Sequence, residues 1–148
     1  MSTAMWRRGR RLFSVAGILV ILTAAAHTAG HFSPSSGPAE DAVFAAMNAH
    51  LVPLGLGMTP SLLDIFKGLS LTMAITLAAI GAINLLIAAS PEVGDRVIGR
   101  LVWVNLTWNA GFGLLMWHYQ LMPPLICAGI IEAVLVASLV TPAAYVSR

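Results

Sequence analysis

His27 and His31 stand four residues apart, a spacing that puts two imidazoles on one face of a helix, one turn from each other. Helical histidine pairs of this kind can share one metal ion. The chain holds four histidines in all, the others being His50 and His118. If the four rings converge, copper, zinc or haem iron is the group they could hold. Single histidines at a helix end also serve as plain interfacial residues bonded to backbone or water. Spacing alone leaves both readings open.

Three charged residues extend the list. Asp64 and Lys67 are three apart, close enough on a helix to pair. Asp64 suits the positive end of a helix dipole and Lys67 can snorkel, so a cap and an interfacial cation are one reading. The other makes Asp64 a partner that orients a histidine, or an acid or base beside a ligand that Lys67 helps to bind. Glu132 is harder to place. It lies about nine residues into an apolar run, where an ionised carboxylate costs ~2.5–3 kcal/mol on insertion scales. Asn105 and Asn109 share a helical face that Trp108 borders, and amides can donate to a carboxylate without adding charge. These residues make either interhelical glue or the wall of a ligand site with Glu132 as its acid.

The elements that must position these groups are membrane spans. The chain has 148 residues, 58% of them hydrophobic and 9% charged. Soluble domains carry roughly 25% charged residues. Four apolar stretches, about 12–31, 61–89, 98–119 and 123–142, are each long enough to cross a hydrocarbon core. In lipid only a helix or a closed barrel satisfies its backbone, so the expected fold is all-α. It is a single-domain four-helix transmembrane bundle. Between the first two spans, 38–51 reads as a short interfacial amphipathic helix, with Val43, Phe44, Met47 and Leu51 near one face. Pro53, Gly55, Gly57 and Pro60 end it.

Charge placement sets the orientation. Arg7, Arg8, Arg10 and Arg11 precede the first span, Arg96 and Arg100 lie by the middle loop, and Arg148 follows the last. The positive-inside rule then puts both termini in the cytoplasm of a bacterial inner membrane. All four histidines, Asp64 and Lys67 consequently fall on the periplasmic side, and Glu132 lies in a span that starts there. The lipid bilayer is the expected partner, with a second copy or a membrane complex beside it. No basic stripe interleaves with aromatics, so nucleic acid is not expected. The single cysteine, Cys127, cannot form an intrachain disulfide. No phosphate-cradling loop, Ser-His-Asp order or CxxC pair is present. The N-terminal stretch also has the layout of a secretory signal, basic then apolar then Ala24-Ala25-Ala26. Cleavage after Ala26 would leave His27 as a copper-chelating N-terminus; the alternative is an uncleaved signal anchor.

The runs His27-Thr-Ala-Gly-His31 and Leu63-Asp64-Ile65-Phe66-Lys67-Gly68-Leu69-Ser70, ending one span and opening the next, resemble those of small, largely uncharacterised four-span bacterial inner-membrane proteins. In span count and size the chain looks like the DoxX-type group, and Asn105-x-x-Trp108 is similar to the polar wall of membrane sterol-isomerase bundles. The resemblance implies a membrane address and transfers no catalytic residue. Three functions follow from the residues: an accessory or small-ligand-binding protein, a metal- or haem-binding redox protein, and an enzyme or carrier for a lipophilic molecule using Glu132 and Asp64.

Overall fold

Long alanine- and leucine-rich runs with no interior proline favour helix, and the computed structural model is helical throughout its regular parts. It describes residues 3–140, with side chains from Gly9 onward. Five helices follow in chain order: α1 Thr3–His31, α2 Pro38–Ala49, α3 Leu62–Ala89, α4 Asp95–His118 and α5 Met122–Val140. No strand occurs among the described residues. Among the described residues, three stretches are long and apolar enough to cross a membrane: Gly9–His31, Leu62–Ala89 and Met122–Val140.

These bounds sharpen the sequence reading. The first helix starts upstream of the apolar run and carries through the arginines, which are good helix formers. The helix after it stops at Ala49, not 51, and none of its residues is buried. Phe44 and Met47 are half-buried, whereas Val43 and Leu51 are exposed. The helix expected at 98–119 forms as α4, but Asn105, Asn109 and its polar first turn leave it less apolar than the other three. The expected end of the last span, at 141–142, lies outside the described residues, as does Arg148.

The described residues pack as two compact units, 3–23 with 77–140, and Ala24–Thr76. In the first unit, Phe13, Val20, Val102 and Leu135 form the buried apolar centre. Small residues set how close α1 and α3 come. A Cβ on Gly81 would lie 2.6 Å from Ile21 Cγ1 and 2.7 Å from the Gly17 carbonyl oxygen. Real Cβ atoms essentially never come that close, so the two backbones approach this closely because position 81 is glycine. The α3–α4 turn is held by Arg10. Its guanidinium donates to the carbonyls of Ser90 at 2.9 Å and of Val93, and meets Asp95 Oδ1 at 3.4 Å. A cation here also opposes the negative end of α3. At the other end of α4, Gln120 takes a left-handed φ of 57° and the Leu121 N–H reaches back to the Met116 carbonyl. That closes the helix as a Schellman cap. Pro123 and Pro124 then occupy the first turn of α5, where a missing N–H costs nothing.

The second unit holds the end of α1, all of α2 and the start of α3. Ser36 donates to Glu40 Oε2 through its N–H and its hydroxyl, both at 2.6 Å. The side-chain bond first, and the backbone bond second, hold the Glu40 carboxyl below its ordinary pKa. Between α2 and α3 the chain doubles back as a short antiparallel ribbon, bridged at Leu51–Ser61 and Gly55–Met58. The Leu62 N–H donates to the His50 carbonyl at 2.8 Å and ties the ribbon's root.

Gly81→Ala should destabilise the chain by ~1–3 kcal/mol, because the clash is with backbone; thermal unfolding in detergent measures it. A carboxyl with a depressed pKa holds its contact above the usual Glu value of ~4.3 and releases it as pH falls through the lowered value. Protection of the Ser36 amide, its exchange rate relative to the intrinsic rate at each pH, should therefore hold at neutral pH and be lost only below the ordinary carboxylate range.

Candidate functional site

The α1 histidines meet one serine. His27 and His31 project from the last turns of α1 within the second unit, and Ser70 stands two turns into α3. His27 Nε2 lies 3.0 Å from Ser70 Oγ and 3.2 Å from the Ser70 carbonyl oxygen. His31 Nδ1 lies 3.1 Å from the same Oγ. A carbonyl can only accept, so the proton of a neutral His27 is assigned to Nε2. Ser70 Oγ then accepts from His27 and donates to His31 Nδ1. Two rings and a hydroxyl form a directed chain in which one small oxygen sits between two imidazole nitrogens. His31 is steadied further by edge-on contact with Phe32, ring centres 4.8 Å apart.

The other two histidines take different places. His50 is exposed at the end of α2 and is tied in through its backbone carbonyl. His118 is exposed at the end of α4, edge-on to Tyr119 at 4.9 Å. Among the described residues no three His, Cys, Asp or Glu side chains form a group that could hold a metal ion. Asp64 is engaged in a capping box. Ser61 donates to Asp64 Oδ2 from its N–H at 3.0 Å and from its hydroxyl at 2.7 Å. The Asp64 N–H returns a bond to Ser61 Oγ at 3.1 Å. This reciprocal pair starts α3, with Asp64 in place of the usual Glu. Lys67 is exposed on the next turn.

The first unit holds a second polar set. Asn109 is 2% exposed and spends both amide hydrogens across the α4–α5 interface, on Glu132 Oε2 at 2.7 Å and on the Ala128 carbonyl at 2.8 Å. Asn105 does not join Glu132. It faces α3 and exchanges amide bonds with Asn84 at 2.8 and 3.3 Å, while also donating to the Leu101 carbonyl at 2.8 Å. Trp108 stacks on Phe112, ring planes 9° apart. The expected wall of Asn105, Trp108 and Asn109 thus splits three ways, because residues three and four apart on α4 meet different neighbours.

Three contributors escaped sequence reading. Ser70 is one polar residue in an apolar run, a turn beyond Lys67. Asn84 is the lone amide in the second half of α3, and that isolation was its signal. Arg10 looked like a marker of orientation only. Comparison with protein-family models, with curated proteins and with solved structures gives no match.

The Asn109–Glu132 contact makes unequal predictions for its two partners. Asn109→Leu strips a buried carbonyl and a carboxyl of their donor and should cost ~1–3 kcal/mol. Glu132→Gln keeps an acceptor oxygen for Asn109 and should cost under ~1 kcal/mol. Unfolding midpoints of the two variants, measured in the same detergent, check the asymmetry.

Proposed function

We propose that the chain is a four-span protein of a bacterial inner membrane, with cytoplasmic termini, that serves as an accessory protein binding a small ligand at the His27–Ser70–His31 cluster. The observation that carries the reading is two imidazole nitrogens aimed at one serine hydroxyl. The position of that hydroxyl is one that a single oxygen of a small polar or amphipathic ligand can take, with Ser70 turning aside. A hydroxyl or carbonyl oxygen there would find a donor on His27 and a donor or acceptor on His31. Apolar helix surface around the cluster suits a ligand that arrives through lipid.

Counting α4 as the fourth span has its own support. At ~1.5 Å per residue its 24 residues reach about 36 Å, enough for a hydrocarbon core. The asparagines that lower its average hydropathy are buried and hydrogen-bonded inside the first unit. Its outer face carries Trp103, Val104, Leu114 and Trp117, all exposed and all compatible with lipid. Arginines on the side of the 90–100 loop then give the orientation.

A metal-binding role draws only two imidazoles from the cluster, short of the four ligands a structural zinc site takes. A role for Glu132 as the acid of a lipophilic-substrate enzyme or carrier rests on its contact with Asn109.

Native mass spectrometry of protein extracted in mild detergent, with elemental analysis and an optical spectrum of the same sample, tests these readings. The expected result is a retained small molecule that the His27→Ala/His31→Ala double variant loses and Glu132→Gln keeps. Bound copper, zinc or a Soret band lost in the double variant would replace the small-ligand reading with the metal one. Loss in Glu132→Gln alone would move the site to the first unit.

A further inference from the structure

The ribbon between α2 and α3 carries an apolar tip that its own turn does not call for. The Met58 N–H bonds the Gly55 carbonyl at 3.0 Å, so Leu56 and Gly57 are the two central residues of a hairpin turn. Both have positive φ, 51° and 77°. That is the backbone of a type I′ turn, whose favoured pair is Asn-Gly. Here the first position holds leucine, which has a Cβ to resist the left-handed conformation and no side-chain polar group to compensate. Leu56 is also 98% exposed. The arms add Leu51, Leu54 and Met58, all exposed. No Asp, Glu, Lys or Arg occurs from Leu51 to Leu63. Water gives no reason to keep a strained leucine at a loop tip.

We infer that the 51–61 ribbon docks into the membrane, its Leu56 tip entering the lipid on the side where α1 ends and α3 begins. This rests on the membrane reading above. The occupant is lipid because the ribbon is continuous with a span. Ser61 forms the last bridge of the ribbon and caps α3, whose candidate span begins at Leu62. The ribbon's root is therefore held at the end of a hydrocarbon-crossing helix. Each arm has about five residues, and ~3.3 Å per residue gives a reach of about 17 Å. Interfacial elements sink only ~5–10 Å, so the tip can enter the acyl boundary without moving its root. The ribbon also satisfies part of its own backbone there, through the Val52 N–H to Pro60 carbonyl bond at 2.9 Å and the Leu54 N–H to Met58 carbonyl bond at 3.1 Å.

The test uses the full-length chain in phosphatidylcholine–phosphatidylglycerol vesicles, with Cys127→Ser as background. An environment-sensitive fluorophore is placed on Thr59→Cys, which leaves the tip native. Lipids brominated near the headgroup end of their chains should quench it strongly, and aqueous iodide weakly. Adding Leu56→Asn, which suits the turn, should lose most of the lipid quenching and gain iodide quenching. A second sample labelled at Leu86→Cys, exposed on α3, reports on the span itself. Lipid quenching at 86 with iodide quenching at 59 overturns the ribbon inference and leaves the membrane reading intact. No lipid quenching at 86 overturns both. A label at 59 shielded from both quenchers, with self-quenching at high labelling, would assign the tip to a second copy of the chain and overturn the lipid assignment.

Discussion

A polar side chain among apolar helices has to find a hydrogen-bond partner, and that requirement governs how the first unit is assembled. Asn84, Asn105 and Asn109 are buried, and each is bonded. Their bonds run from α3 to α4 and from α4 to α5, so they fix the rotation of α4 between its neighbours. Apolar packing alone would leave that rotation loose, because leucine and alanine faces are nearly interchangeable. The glycine contact between α1 and α3 and the Arg10 clamp on the α3–α4 turn set spacing and ends. The amides set register.

The second unit follows a different rule. Its polar groups gather at the ends of helices, where backbone groups lack partners. Ser61 and Asp64 cap α3, and Ser36 ties Glu40 at the start of α2. His27 and His31 face a neutral serine hydroxyl.

Much of the helical layout was legible, and for a simple reason. Hydrocarbon-length apolar runs bounded by Pro, Gly and Ser leave few alternatives, so α3 begins within a residue of the expected start and α5 begins at the proline pair. The pairing of the candidate site residues was less legible. His27 and His31 share a face by local geometry, and both reach the Ser70 hydroxyl. Asn105 and Asn109 share a face by the same arithmetic and yet part company, one to Asn84 and one to Glu132. Spacing along one helix says which residues can meet a neighbour. It does not say which neighbour stands there.

The amino-acid sequence by itself determined that the chain is helical, that long stretches of it are apolar enough for a bilayer, and where most helices start and stop. These are properties of short windows: hydropathy, caps and breakers act within a few residues of where they are written. Tertiary structure alone decided that a serine on α3 lies between the two α1 histidines and that Glu132 answers to Asn109. Those contacts join residues 23 to 43 positions apart and depend on the rotation and spacing of whole helices. No local pattern encodes that rotation, because it is the joint solution of every packed face at once.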